Sequence, residues 1–220
     1  MADLAAALRK VLPRGVALGV GDAANALWPG EDLPNAVPAR RAEFAAGRSA
    51  ARDAMVQLGV AAKALPIGAD RAPVWPDGLT GSISHCSGAC MAVVGEAVEW
   101  AGIGLDVEPD QPLDPSLWDT ILRTEERAFL LENQGVTANP GRQALKIFVA
   151  KEAVYKAQYS ITKTLFGFDA IHIELNGNRF LARFIDEIGP FYTGFELTGQ
   201  FVCAGNIVAG LVVIEHITRG

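Results

Sequence analysis

Hydrophobic and polar positions along this chain alternate between a helical period and a strand period, in an order that repeats. Residues 2–11 read as a short amphipathic helix. A loop rich in Pro and Gly follows over 28–38. From Arg40 to about Leu58 the pattern is helical. Phe44, Ala45, Met55 and Leu58 share an apolar side, and Arg41, Arg48 and Arg52 recur at helical spacing. Gly59 is a natural terminator. Residues 66–80, with Pro66, Pro73 and Pro76, form a loop. Strand-like runs follow at 81–85, 89–95 and 101–107, punctuated by Gly95 and Gly102.

The second half repeats this order. Residues 123–132 and 141–159 read as helices, the longer one with Leu145, Phe148, Val149, Ala153 and Tyr155 as its apolar positions. Strands are expected at 171–175 and 179–185, joined through Asn176-Gly177, and at 194–203 and 206–215. Helix then strands, twice over, predicts an α+β fold of two similar halves, 1–109 and 110–220. The break is expected in 110–115 and the active site at the interface. No sequence repeat supports the halves; element order alone does.

Composition narrows the class. The chain has 220 residues, 50% hydrophobic and 20% charged, enough to bury a substantial core. Its formal net charge of −6 supplies no global field for nucleic acid, so a polyanionic ligand must meet a local cluster of Arg and Lys. Cys86, Cys90 and Cys203 are an odd set without a disulfide framework, which suggests reduced thiols. The N-terminal residues have the wrong charge order for a signal peptide, and no run is long and apolar enough to span a bilayer. The expectation is a cytoplasmic protein with no membrane or nucleic-acid partner.

The chemistry concentrates in two segments. In the strand run 102–109, Asp106 and Glu108 stand two residues apart and point to one face. In the helix run 151–156, Glu152 and Lys156 lie one turn apart. As an exposed pair, Glu152 and Lys156 would contribute only about 0.3–0.5 kcal/mol. Three carboxylates beside a lysine are also a plausible seat for Mg²⁺ and a phosphorylated substrate. Around them, the small-residue strand Gly81-Ser82-Ile83-Ser84-His85 offers hydroxyl, imidazole and backbone N–H groups to a phosphate, although a histidine satisfied at the end of a core strand is the ordinary reading. Arg40, Arg41, Arg48 and Arg52 cluster on one helix, where at least one of Arg41 and Arg52 is expected to face solvent, and Arg71 precedes a Pro-rich loop.

These segments, in this order, resemble the 4′-phosphopantetheinyl transferases. They are similar to the long, monomeric, pseudo-dimeric type associated with siderophore, polyketide and nonribosomal peptide synthesis. The resemblance is carried by residues 40–52, 71–76, 81–85, 102–109 and 148–156, followed by Leu165-Phe166-Gly167-Phe168. It implies transfer of the 4′-phosphopantetheine arm of coenzyme A to a serine of an apo acyl or peptidyl carrier protein, with release of adenosine 3′,5′-bisphosphate. It further implies Asp106, Glu108 and Glu152 on Mg²⁺, and Arg40, Arg48, Arg71, Ser84 and His85 on coenzyme A phosphates. Lys156 would meet the pyrophosphate, and Glu152 would be the base. Two departures stand out. Phe148-Val149-Ala150 occupies a place where many members carry tryptophan. Residues 28–31 hold no basic side chain where some relatives grip nucleotide phosphates, so the Arg40/Arg48 helix must take that work.

Three other readings compete. A metal-dependent nuclease uses similar groups, but the net charge opposes its substrate. A Cys/His acyl-transfer enzyme would need His85 and Cys86, which as strand neighbours point apart. A non-catalytic module would bind coenzyme A and modify nothing. The carrier docking patch is expected near 115–135, where Trp118, Leu122 and Phe129 can equally serve as core.

Overall fold

The computed structural model describes residues 1–132 and 139–216. Helix α1 spans Ala2–Arg9, strand β1 Val16–Val20 and helix α2 Pro38–Leu58. Strands β2 (Leu79–Cys86), β3 (Ala89–Glu96) and β4 (Trp100–Pro109) follow. After a 3₁₀ turn come α3 (Trp118–Ile121), α4 (Thr124–Glu132) and the long α5 (Pro140–Thr162). Strands β5 (Ile171–Asn176), β6 (Arg179–Phe184), β7 (Glu196–Ala204) and β8 (Ile207–Glu215) complete the fold. The expected α+β class is present, with two sheets and the helices that cover them.

Local chemistry accounts for the boundaries. Pro38 sits in the first turn of α2, where a missing N–H is harmless. Gly59 ends the helix in the left-handed conformation at φ +88°, with its N–H directed to Met55 and Val56 carbonyls. The β7–β8 loop, Gly205-Asn206, has positive φ at both positions, as a tight primed turn requires. The β5–β6 loop is Gly177-Asn178, one residue later than expected, with Gly177 at φ +61°.

The strands form two antiparallel sheets, ordered β1-β3-β2 and β4-β8-β7-β6-β5. Strand β4, which a boundary after Pro109 counts with the first half, is hydrogen-bonded to β8 along its length. Strand β1 escaped the sequence reading because Gly19 interrupts a run of only five residues. Helix α2 covers one face of the first sheet, burying Ala50, Ala54, Met55, Ala92 and Val94. Helix α5 covers the second, over Phe180, Phe184 and Val212. A third core joins the halves: Leu4 and Leu8 of α1 pack against Leu18 and Met91 from one sheet and Ile103, Leu105 and Leu211 from the other. Leu4 and Leu8 are fully buried, so truncating either to Ala should cost about 2–5 kcal/mol.

Candidate active site between the two sheets

The β4–α5 crossing builds the site. Along β4, Ile103, Leu105 and Val107 turn into the shared core, so Gly102, Gly104 and Asp106 take the opposite face. A Cβ at Gly104 would collide with the Ala153 carbonyl, and one at Gly102 with that of Ala157. Glycine on the strand and alanine on the helix therefore let the two backbones approach closely. Beyond the glycines, the same face of β4 presents Asp106 and then Glu108. Helix α5 brings Glu152 and Lys156 to them.

Asp106 is 4% exposed. Its Oδ1 accepts from Lys156 Nζ at 2.6 Å and from Ser84 Oγ at 3.0 Å. Ser84 Oγ also accepts from Lys156 Nζ at 3.1 Å and from the Val107 N–H at 3.2 Å. Asp106 Oδ2 is buried without a partner. Burial pushes the Glu108 carboxyl up to about 7, with Asp106 and Glu152 adding to the rise and Lys156 opposing it. Burial also raises Glu152, helped by Asp106 and countered by Lys156. These carboxylates crowd one another, and a single lysine offsets part of their charge.

Such a cluster suits a hard divalent cation by its chemistry. The donors are carboxylate oxygens, they repel, and one buried oxygen is orphaned. Among the described residues, no three His, Cys, Asp or Glu side chains already stand in a ligating arrangement. Lys156 takes one side of Asp106, so the acids are gathered but not arrayed around an ion.

The basic residues divide into separate groups. Arg40 is exposed, and its Nη1 lies 3.1 Å from both Glu43 Oε2 and His85 Nε2. Arg48, 6% exposed, donates from Nε to the Leu65 carbonyl, and its guanidinium lies 3.9 Å from the Phe44 ring centroid. Its Nη2 is buried with no partner, and burial pulls its pKa down to about 10. Arg41 faces solvent, whereas Arg52 is buried in an ion pair with Glu31. Arg71, at φ +67°, tips a small hairpin in which Val74 N–H bonds the Pro66 carbonyl. That hairpin walls a groove of about 750 Å³, within the range of small-molecule sites, whose lining includes Trp75, Tyr155, Lys156, Tyr159 and Lys163. The groove lies between a loop of the first half and α5 of the second.

Several contributors escaped the sequence reading. Tyr155, read from the sequence only as an apolar position, and Tyr159 extend the Glu152/Lys156 face along α5 in three- and four-residue steps, and Lys163 follows at the helix's left-handed C-terminal cap. Tyr159 donates its hydroxyl to Asp70 Oδ2 at 2.9 Å, tying α5 to the Arg71 hairpin. Lys151, beside Glu152, is 2% exposed and bonds Glu126, the Ile121 carbonyl and the Phe168 carbonyl. It anchors α5, and hence Glu152, to the preceding helices. Glu31 supports the arginine helix from a loop whose sequence shows no such role: it accepts from Arg52 and from the Leu65 N–H.

The expected docking stretch is mixed. Leu122 is buried and Trp118 packs on the core, while Leu117, Phe129 and Leu131 are exposed. Positions 133–135 lie outside the described residues. The Cys/His alternative loses its nucleophile. His85 meets Arg40 and Glu43, and burial beside Glu108 and Asp106 pushes the Cys86 thiol up to about 11. No helix among the described residues is long and apolar enough to cross a membrane.

Comparison with known proteins identifies the family. The 4′-phosphopantetheinyl transferase N-terminal domain family matches residues 28–95, and the 4′-phosphopantetheinyl transferase superfamily matches 102–209. The 4′-phosphopantetheinyl transferase PptT of Mycobacterium tuberculosis is 36% identical over 76% of this chain and 74% of its own length. Svp of Streptomyces mobaraensis is 35% identical over 81% and 73%. Enterobactin synthase component D of Salmonella typhi is 36% identical over 88% and 80%. Holo-[acyl-carrier-protein] synthase of Thermotoga maritima overlays 54% of this chain and 65% of its own at a TM-score of 0.37 and 15% identity, a likeness too slight to weigh. The superfamily match covers the strand that bears Asp106 and Glu108 and the helix that bears Glu152 and Lys156, and with relatives this similar along most of their length the chain belongs to the 4′-phosphopantetheinyl transferases.

Proposed function

We propose that this protein moves the 4′-phosphopantetheine arm of coenzyme A onto a serine of an apo acyl or peptidyl carrier protein, in a Mg²⁺-dependent reaction. The carriers are of the siderophore, polyketide or nonribosomal peptide kind, the enzyme acts as a monomer, and the site lies where its two halves meet. The observation that carries the reading is the meeting of Asp106, Glu108, Glu152 and Lys156 beside the inter-half groove.

Coenzyme A carries a pyrophosphate and a 3′-phosphate. Arg40 and Arg48 form the cationic side that receives these charges in a protein whose net charge is −6, with His85 beside Arg40 as a further hydrogen-bonding group. Arg48 suits the task because it is buried and keeps an unpaired N–H group for an anion. Arg71 and Lys156 meet phosphate oxygens along the groove. Asp106, Glu108 and Glu152 would hold the divalent cation, which when bound offsets the pyrophosphate charge.

In the reaction, the carrier serine oxygen bonds to phosphorus and the phosphorus–oxygen bond of the pyrophosphate breaks. Adenosine 3′,5′-bisphosphate leaves. The serine proton passes to a carboxylate. Glu152 fits that role because burial lifts its basicity above that of an ordinary glutamate. Lys156 donates to the oxygens on which charge develops. The enzyme needs no nucleophile of its own.

The test is mass spectrometry of an apo carrier protein incubated with the enzyme and coenzyme A, with and without Mg²⁺. The expected result is a gain of about 340 Da, one phosphopantetheine arm, only when Mg²⁺ is present. Tight coenzyme A binding with no mass gain would mark a non-catalytic module instead.

A further inference from the structure

Glu31 stands in the irregular stretch between β1 and α2, and its side chain is fully buried. A carboxylate withdrawn from water is costly unless its charge and its oxygens are met. We propose that Glu31 is a positioning residue: acting through Leu65, it fixes the direction of the Arg48 guanidinium, so that the unpartnered N–H group of Arg48 meets a phosphate of coenzyme A. This inference rests on the transferase reading and deepens it.

An ionised carboxylate only accepts hydrogen bonds, and Glu31 accepts three. Its Oε1 accepts from the Leu65 N–H at 2.9 Å. Its Oε2 accepts from the Trp28 N–H at 2.9 Å and from Nη1 of Arg52. Arg52 also donates to the Ala26 carbonyl at 3.1 Å and lies 4.6 Å from the Trp28 ring centroid. These contacts close the Trp28 loop onto α2 and tie both to Leu65. The same residue then carries the connection onward, because the Leu65 carbonyl accepts from Arg48 Nε at 3.0 Å. Glu31 grips the N–H of Leu65, and Leu65 grips Arg48.

Charge points the same way. Arg48 and Arg52 lie one turn apart on α2, each 6% exposed. Arg52 takes the Glu31 carboxylate directly and is committed to the scaffold. Arg48 receives only the Leu65 carbonyl and the Phe44 ring, and its Nη2 is buried without a partner. Burial lowers the Arg48 pKa, and the nearby Glu31 charge opposes that fall, so the carboxylate favours the charged guanidinium as well as aiming it. A buried cation with a donor left over is stabilised by an anion that accepts from it. An amide cannot take the place of this carboxylate. Glutamine has one acceptor oxygen and one NH₂. Turning the oxygen to Arg52 and Trp28 sets the NH₂ against the Leu65 N–H, and the reverse sets it against Arg52.

The test is a double-mutant cycle on the calorimetric Kd for coenzyme A, with carrier loading as the second readout. Glu31→Gln should raise the Kd and the KM for coenzyme A about fivefold or more, while kcat stays within about twofold. Placed in the Arg48→Ala background, the same substitution should add less than about twofold, because no guanidinium is left to aim. If Glu31→Gln does not fold, Glu31→Asp, which keeps the charge but falls one methylene short of Leu65, runs the same cycle. An unchanged Kd in the single variant overturns the proposal. So does a tighter Kd, the result expected if removing a negative charge beside Arg48 were the whole effect. Fully additive losses make Glu31 a general support of the fold and overturn it as well. A Kd that Arg48→Ala leaves unmoved removes Arg48 from the phosphates, and this inference with it. Failure of the transferase reading is seen separately, as wild-type protein that binds coenzyme A and loads no carrier, because the coupling is read in the Kd.

Discussion

The crossing of α2 over β1 and the crossing of α5 over β4 use the same contact geometry and serve different ends. A Cβ on Gly19 would strike the Ala50 carbonyl and crowd Ala54, and a Cβ on Gly104 would strike the Ala153 carbonyl and crowd Ala157. In each, a strand glycine faces two alanines one helical turn apart. Matching those contacts sets Ser49 against Glu152, Asp53 against Lys156 and Gly21 against Asp106. In the first half the polar groups satisfy each other and the backbone. Ser49 accepts from Asn25 at 2.6 Å, and Asp53 accepts from the Val20 N–H at 3.1 Å. In the second half the corresponding places hold crowded carboxylates, a lysine and an unpartnered oxygen. Close backbone packing is thus a scaffold that both halves share, and the proposed chemistry lies in Asp106, Glu108, Glu152 and Lys156 of one half. The first half carries its arginines, Arg40, Arg48 and Arg52, on the same helix that makes the crossing.

The largest test of this contrast is a pair of substitutions at matched places. Glu152→Gln should lower kcat for carrier loading about 10²–10⁴-fold with an unchanged circular dichroism spectrum, because it removes the proposed base. Ser49→Ala at the matched site should leave kcat near wild type, and an equal loss there would break the contrast. Next, Arg48→Ala should raise the KM for coenzyme A about tenfold or more while kcat holds, because its contact is remote from the reacting phosphorus. An unmoved KM would place the phosphate pocket elsewhere.

The shared scaffold predicts a shared weakness. Gly19→Ala and Gly104→Ala should each destabilise the fold by about 1–3 kcal/mol in denaturant titrations, since each added methyl meets helix backbone that cannot move aside. A neutral result at either position would remove that crossing from the comparison.

The smallest expected effect concerns pH. Glu108 keeps its proton up to about 7 in the folded protein, against an ordinary value of 4.5. Between those values folding binds a proton that the unfolded chain releases, so stability is greatest at the acidic end and falls as pH rises through about 7. With EDTA present, Tm should therefore drop between pH 5 and pH 8, and Mg²⁺ should recover part of the loss at pH 8. A Tm that rises over this range in EDTA would contradict the crowding of acids on β4.

Much of the fold was legible along the chain because its signals are local. Gly59 as a helix stop, the strand runs 81–85 and 101–107, and the long helix around Glu152 follow from periodicity and turn residues alone. Strand β1 was not legible, because Gly19 is there for a helix that arrives thirty residues later and weakens the strand signal. The Gly/Ala correspondence between the halves was hidden for the same reason: small residues carry no side-chain pattern until a neighbouring backbone lies against them. Glu31 was invisible because its partners, Arg52 and Leu65, are far along the chain.

By itself the sequence determined which residues bear charge, which faces of β4 and α5 they occupy, and the spacing that keeps Asp106 with Glu108 and Glu152 with Lys156. Those relations hold within single elements, where strand and helix periods fix direction. Only the tertiary structure decided that Ser84 turns to Asp106, that Arg48 is buried with an unpartnered N–H while Arg52 is paired, and that a hairpin around Arg71 faces α5 across a groove. Each of those is a contact between distant segments. Hydrogen-bond capacity, burial and the approach of two sheet edges settle such contacts, and no local period encodes them.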